Sequence, residues 1–466
     1  LGVFHPEIPV DLADLKSGRL TPDDYAQNFA DAHPPLNRTQ ALIEAERCYY
    51  CYDAPCQTAC PTGIDIPSFI QRVAQDNVRG AAEAILTANP LGGMCARVCP
   101  TEVLCEQACV RNTNESKPVE IGMLQRYAVE GHFANPGAKP LFERGMPTGR
   151  RIAVVGAGPA GLAAAHGLAW RGHDVVLFDA NPKLGGLNEY GLATYKVAGG
   201  FAQKEIDWLL SIGGITPKLN CRLGRDITLD GLLAEYDAVF LGLGLGGVNA
   251  LGIAEPQVTG LRDAVDFIAE LRQSAPEIVT VGRKVVVIGG GMTAVDAAVQ
   301  SRLLGAEQVT MVYRRGPDGL SASTHEQHWA QTNGVTIRCW ARPLGVEGQG
   351  GVLRGMRFAA TKLEGGKLVD TGEQFFIEAD MVLRAIGQTY RAEAAGDGIE
   401  LEGGRIKTDA DGQTSLARVW AGGDCRAGGR DLTVEAVEHG KRAAISIDRA
   451  LGLSAVRHHD TEASHG

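Results

Sequence analysis

Apolar residues recur at helical spacing in DNVRGAAEAILTANP, a run that stops at Pro90, so a helix is predicted there. Further on, the apolar positions gather into short unbroken runs. Twice, such a run passes through a glycine-rich turn into a helix and on to a second apolar run. RIAVVGAGPAGLAAAHGLAWRGHDVVLFDA starts at Arg151, and KVVVIGGGMTAVDAAVQSRLLGAEQVTMVYRR starts at Lys284. A third extended segment, TSLARVWAGGDCRAGG from Thr414, is followed by the helical LTVEAVEHGKRAAISIDRAL. These patterns predict an α/β chain with an N-terminal all-α domain and two nested Rossmann-like nucleotide-binding domains. The second is inserted into the first, and the strand and helix after Thr414 return to complete the first. The expected division is 1–145 helical, 146–254 first segment of the outer fold, 255–376 inserted fold, and 377–466 second segment with the C-terminal helix.

The turns carry the first chemistry. After the strand Ile152–Val155 come Gly156, Ala157, Gly158, Pro159, Ala160 and Gly161, and the next strand ends at Asp179. Glycines there let the backbone approach a pyrophosphate at a helix N-terminus, and the acid can bond a ribose hydroxyl. A plain βα turn would not need strand, helix and acid in this order. The second unit offers Gly289-x-Gly291-x-x-Ala294, but its second strand ends in Arg314 and Arg315. Two bases at that place can hold the extra phosphate of NADP; as a solvated loop pair they would hold nothing. The first unit therefore reads as an FAD site and the second as an NAD(P)H site. In the returning segment, Gly422-Gly423-Asp424 can reach the flavin's sugar chain or phosphate. The helix N-terminus near Thr433 can stabilise negative charge on the reduced ring.

Eight of the eleven cysteines lie between 48 and 109. The first set reads C-x2-C-x4-C-x3-C-P (Cys48, Cys51, Cys56, Cys60); the second is Cys95, Cys99, Cys105 and Cys109. The bacterial ferredoxin run is C-x2-C-x2-C-x3-C-P, whose last cysteine serves the other cluster. Structural zinc more often uses two CxxC knuckles, and this region has one. Spacing thus favours iron–sulfur clusters. Cys221, Cys339 and Cys425 stand alone and read as packed or surface thiols. No Ser/His/Asp triad and no metal-type histidine spacing is present, so no acid–base catalytic residue is assigned. The N-terminus LGVFHPEIPVDLADL lacks the form of a secretory signal. With the cysteine usage, this points to a reducing, cytoplasmic setting. The longest apolar run, 152–165, is too short to span a membrane, and the formal net charge of −10 disfavours nucleic acid or an anionic membrane as partner.

The order of these motifs, from twin cysteine sets through GAGPAG, VIGGGMTAVDAA and YRR to AGGDC, resembles the small subunit of bacterial glutamate synthase and the N-terminal half of dihydropyrimidine dehydrogenase. ACPTGIDIPSFI, NPLGGMCARVCPTEVLCEQAC with IGMLQRYA, and DLTVEAVEHGK look closest to the separate flavin subunit of the two-subunit bacterial dihydropyrimidine dehydrogenases. The resemblance implies two [4Fe–4S] clusters. One would use Cys48, Cys51, Cys56 and Cys109, the other Cys60, Cys99, Cys105 and Gln125, with Cys95 not a ligand. It implies FAD contacts at Gly156 to Gly161, Asp179, Gly186, Leu187, Lys196, Leu223, Gly422, Gly423, Asp424, Asp431, Leu432 and Thr433. For the nicotinamide it implies Gly290, Gly291, Met292, Thr293, Arg314, Arg315, Ala385, Ile386 and Gly387. NADP-using relatives carry a further base in the loop after YRR, where this chain has Ser321, so both NAD and NADP stay open.

The resemblance also implies a direction of work: hydride from NAD(P)H to FAD, then single electrons through the clusters. No FMN-barrel sequence follows before Gly466. A larger FMN/iron–sulfur subunit carrying the pyrimidine site is therefore the expected partner. Glutamate synthase small subunit is the near alternative. A thioredoxin-reductase-like enzyme would carry a CxxC within 255–376, and none is there. The remaining alternative is a zinc-stabilised binding module.

Overall fold

The computed structural model describes residues 14–137, 139–391 and 398–452, so the outer ends of the expected first and last domains lie outside it. The chain divides into two compact units. One comprises residues 33–189, 199–247 and 389 onward, and the other residues 190–198, 248–388 and the chain up to 32.

The first unit joins the cysteine-bearing helices to a parallel sheet. Its five strands run in the order Val419–Ala421, Ala238–Leu241, Arg151–Val155, Asp174–Phe178 and Ile215–Lys218, every pairing parallel. Successive strand residues face opposite sides. Ile152 and Val154 join a core with the helices Pro159–Trp170 and Thr433–Ala450, whereas Ala153 and Val155 join another with Phe178, Val239 and Leu241. Burial on both faces explains why these strands read as unbroken apolar runs.

The strand Val419–Ala421 lies beside Ala238–Leu241, so the Thr414 segment does return to the first sheet across the insertion. The last helix crosses Pro159–Trp170 closely. A Cβ on Gly440 would stand 2.1 Å from the carbonyl oxygen of Ala160, so only glycine allows this approach.

The helical part is assembled by local caps. Asn37 and Gln40 form a capping box on Arg38–Ala45; Asp65 caps Ile66–Ala74; Asn77 caps Val78–Ala88. The helices Gly92–Val98 and Ile121–Ala134 complete the frame around the thiols.

The second unit has its own five-stranded parallel sheet, ordered Val335–Arg338, Gln308–Val312, Lys284–Ile288, Met381–Arg384 and Leu261–Asp263. Val285 and Val287 face the helices; Val286 and Ile288 face an antiparallel meander of Ala341–Gln349, Val352–Glu364 and Lys367–Glu378.

Three boundaries differ from the sequence reading. Met381–Arg384 pairs with Lys284–Ile288, so the inserted unit runs on to 388 rather than closing at 376. The strand Leu15–Lys16 pairs antiparallel with Val281–Gly282, which draws residues 14–32 into the inserted unit rather than the helical domain. Residues 190–198 also belong there: Thr194 N–H bonds the Gln300 side chain at 2.9 Å, and Tyr195 O accepts from Ala32 N at 3.0 Å. All three depend on pairing between distant parts of the chain.

Candidate redox centre

Cys48, Cys51, Cys56 and Cys109 line one open cavity of about 380 Å³, part of it open to solvent, walled by Ile66, Ile70 and Ile121. Tight turns bring them there: Tyr50 and Ala54 hold left-handed backbone at φ 51° and 34°, and Pro55 starts the short helix carrying Cys56. Burial, then the charges of Cys48 and Cys109, push the Cys56 thiol up to about 12. Cys48 is raised by burial first, with Cys109 and Cys51 adding to it. Thiols that resist ionising together are a set that a cationic group would hold deprotonated.

Cys60, Cys99 and Cys105 form a second neighbourhood. Cys99 is raised by its hydrogen bond with Cys95, by burial, and by the charges of Cys95, Cys105 and Cys60. Cys105 is raised by burial, then by Glu106 and Cys60. Gln125 is buried, and its Nε2 donates to the carbonyl of Gly92 at 2.6 Å. That bond does not engage the amide oxygen. One turn earlier on the same helix, the Gly122 N–H donates to Glu106, next to Cys105, at 3.0 Å. All eleven cysteines are free thiols. Among the described residues no three His, Cys, Asp or Glu side chains converge tightly enough to share one ion. Four thiols round one cavity supply the donor set that a [4Fe–4S] cluster takes.

Residues of the flavin reading meet in the first unit. A Cβ on Gly156 (φ 95°) would lie 2.2 Å from Gly242 O, and one on Gly161 would lie 1.8 Å from Gly156 O. At Gly158 the nearest atom to an added Cβ is Gly186 Cα, at 3.8 Å. Gly158 therefore opens onto space a pyrophosphate can occupy. The Pro159–Trp170 helix has no side-chain cap, unlike Arg38–Ala45, Ile66–Ala74 and Val78–Ala88, so its first N–H groups are available to an anion.

Asp179 is buried and accepts from the N–H of Ala157 and of Asn181, both at 2.8 Å; burial raises its carboxyl pKa above the ordinary range. An added Cβ on Gly423 (φ 75°) would come 3.1 Å from Ala160 Cβ, which places the Gly422–Asp424 turn against the same loop. Burial, then the charge of Asp431, push Asp424 to about 6, against Arg405, which pairs with Asp431. Thr433 donates to Asn188 at 3.0 Å, beside the half-exposed Leu187, and Leu223 is buried under the sheet. Leu432 packs with Cys60 and Cys99 against Val434, Cys95 and Leu104. The start of the last helix thus touches both the flavin residues and the second thiol set.

Lys196 is placed elsewhere. It lies in the inserted unit, 2.8 Å from Asp296 and 2.7 Å from Glu326, both buried or nearly so. No local pattern signalled that triad, nor Lys441, nor the buried Glu205.

In the same unit, Gly289 (φ 150°) packs against Ala385, where an added Cβ would lie 2.1 Å from its carbonyl oxygen. Ser321 and Ala322 N–H both donate to Gly290 O, at 3.0 and 2.9 Å, folding the 316–323 loop over the turn. Gly291 precedes Met292–Leu303, another helix without a side-chain cap, which begins with Met292 and Thr293. Ile386 and Gly387 accept from Asn249 across the strand end. Arg314 and Arg315 are exposed, and neither is paired with a carboxylate among the described residues.

Residues 25–136 match the family described as dihydropyrimidine dehydrogenase domain II, 4Fe-4S cluster. Residues 150–440 match pyridine nucleotide-disulphide oxidoreductase. The chain belongs to the pyridine nucleotide-disulphide oxidoreductase family.

It is 34% identical to the glutamate synthase [NADPH] small chain of Escherichia coli K12, over 90% of this chain and 93% of that one. It is also 34% identical to the NAD-dependent dihydropyrimidine dehydrogenase subunit PreT of Salmonella typhimurium, over 91% of this chain and 98% of that one. In fold it is similar to Mycobacterium tuberculosis FprA in complex with NADPH (TM-score 0.56, 18% identity, 66% of this chain and 85% of that one). The thioredoxin reductase of T. acidophilum gives a TM-score of 0.53 at 21% identity, covering 65% of this chain and 99% of that one. This member of the family is an NAD(P)-dependent oxidoreductase of FAD and [4Fe–4S] iron. Among the described residues no helix is long and apolar enough to cross a membrane.

Proposed function

We propose that this chain is the electron-input subunit of a dihydropyrimidine dehydrogenase, working in the cytoplasm with a larger FMN/iron–sulfur subunit that reduces uracil or thymine. The observation that carries this reading is the enclosure of one cavity by Cys48, Cys51, Cys56 and Cys109, with the second thiol set packed on the helix that starts beside Asp424. Bound nicotinamide, flavin and two clusters supply the redox chemistry, a two-electron donor feeding one-electron carriers.

The protein's residues bind and orient. Gly156 to Gly161, Gly186 and Asp179 would hold the FAD pyrophosphate and ribose, and Gly422 to Asp424 with Asp431 to Thr433 its sugar chain and ring. Gly290 to Thr293 and Ala385 to Gly387 would hold the nicotinamide nucleotide, and the unpaired Arg314 and Arg315 favour a 2′-phosphate while Ser321 leaves room for NAD.

The inner site is Cys60, Cys99, Cys105 and Gln125; the outer is the cavity set, beside Tyr52, which is 99% exposed. Electrons would enter by the last helix and leave on the tyrosine side. Equal identity to a glutamate synthase small chain supports a second reading, in which the partner is the large subunit of that enzyme. Co-purification with candidate large subunits, followed by assay of NAD(P)H oxidation with uracil, thymine, and glutamine plus 2-oxoglutarate, tests both. Turnover of a pyrimidine supports the first reading. Turnover only of glutamine and 2-oxoglutarate overturns it.

A further inference from the structure

The first unit contains a buried acid that no nucleotide contact uses. Glu205, on the helix Phe201–Leu210, is fully buried. Its carboxylate accepts the N–H of Gly93 at 2.6 Å and of Met94 at 3.1 Å, where the helix Gly92–Val98 begins. That short helix ends at Cys99, carries Cys95, and offers its first carbonyl, Gly92 O, to Gln125. Seven residues span about 10 Å, so a unit change of charge at the far end is felt by the carboxylate in the protein interior.

A carboxylate out of water ordinarily has a cation beside it. Among the described residues Glu205 has no ion pair. The cation acting on it, Arg97 of the Gly92–Val98 helix, is bound to Glu130, donates to Gly93 O at 2.8 Å and lies 3.3 Å over the Phe201 ring. On the helix Ile121–Ala134, Arg126 bonds Glu130 at 2.6 Å, and burial lowers His132 below its ordinary value. On Pro159–Trp170, burial pushes His166 down to about 4. Neither histidine therefore titrates in the alkaline range, and Lys204 and Asp207 flank Glu205 on its own helix.

We propose that Glu205 is a redox-linked proton site. Where it is ionised, its carboxylate takes one proton from solvent as the adjoining iron–sulfur site takes one electron from reduced flavin, and it releases that proton when the electron moves on. The charge added is cancelled locally, so the electron is not held against an uncompensated buried anion. The inference rests on Cys60, Cys99, Cys105 and Gln125 being cluster ligands. Burial pushes Glu205 up to about 8, against the two N–H bonds and Arg97, so the carboxyl is mostly protonated near neutrality and ionises in the mildly alkaline range.

The test is an EPR-monitored potentiometric titration of the iron-loaded, FAD-loaded protein between about pH 6 and 10. The midpoint of the inner cluster should be level below about pH 8. Above that it should fall, approaching about 59 mV for each tenfold drop in proton concentration. Glu205→Gln keeps an oxygen for the N–H groups and cannot ionise, so it should retain iron and flavin and hold the midpoint level at the wild-type low-pH value. Arg97→Gln removes the nearby cation and should move the onset of the slope to higher pH. A level wild-type line overturns the proposal, as does a slope that survives in Glu205→Gln or an onset that does not move in Arg97→Gln. A chain that binds no iron overturns the ligand reading instead.

Discussion

Lys441 Nζ, on the last helix, donates to the carbonyl oxygen of Thr62 at 3.3 Å, two residues beyond Cys60. It also donates to Ala88 O and Glu438, so one ammonium ties the helix of the flavin fold to two loops of the thiol-bearing frame.

Replacing Lys441 with Met removes these bonds and leaves two carbonyls without their donor. The expected loss is about 1–3 kcal/mol, read as a lower thermal midpoint of the loaded protein. Electron passage from flavin to iron, followed by stopped-flow absorbance, should slow while FAD and iron contents stay as in wild type. Unchanged stability and rate would show that the tie is incidental.

The buried triad of the inserted unit gives a pH-dependent prediction. Burial alone would lower Lys196, but Asp296, Tyr195 and Glu326 outweigh it and hold it above its ordinary value. The stability it contributes is therefore present below the lysine's unfolded pKa and is lost only as pH rises through the higher folded one. Burial already raises Asp296. In Lys196→Met both acids lose their cation, at a cost of about 3–5 kcal/mol near neutrality. The folded variant then binds more protons than its unfolded chain, so its stability falls as pH rises. Urea denaturation should find it nearest to wild type at about pH 5 and furthest from it at about pH 8.

Asp424 separates binding from stability. Its folded pKa of about 6 lies above the ordinary value of 3.8, so the flavin-free chain loses stability as pH rises through that interval. Above it the penalty is roughly 3 kcal/mol. Asp424→Asn should stabilise the flavin-free protein at about pH 8 and weaken FAD binding, measured by calorimetry. A variant no more stable than wild type at that pH would contradict the assignment of burial as the cause.

The glycine loop yields a contrasting pair. Gly161→Ala forces a Cβ to 1.8 Å from Gly156 O and should destabilise the flavin-free fold by about 1–3 kcal/mol or more. Gly158→Ala meets nothing nearer than 3.8 Å and should fold normally, yet fill the space left for the pyrophosphate. Flavin content and thermal unfolding of the flavin-free proteins distinguish the two. Full flavin content in Gly158→Ala would move the FAD site elsewhere.

The elements most legible in the sequence are those whose cause is local. Gly156 and Gly161 must be glycine because backbone crowds them, and the apolar runs at 152–155 and 285–288 are buried on both faces. The cavity formed by Cys48, Cys51, Cys56 and Cys109 joins three close cysteines to one more than fifty residues later, a link that resemblance supplied and spacing did not. Met381–Arg384 and Leu15–Lys16 are not legible in the sequence, because their pairing partners are about 100 and 265 residues away and short strands carry little signal of their own. Lys196, Glu205 and Lys441 look like ordinary helix or loop charges until distant elements bury them.

Iron–sulfur clusters held by the N-terminal thiols beside a flavin have a direct analytical signature. Protein prepared anaerobically should contain one FAD and about eight iron and eight acid-labile sulfide per chain, and NAD(P)H should bleach the flavin and bring up a cluster EPR signal. Flavin-replete protein with zinc, or with no iron and sulfide, would contradict that assignment.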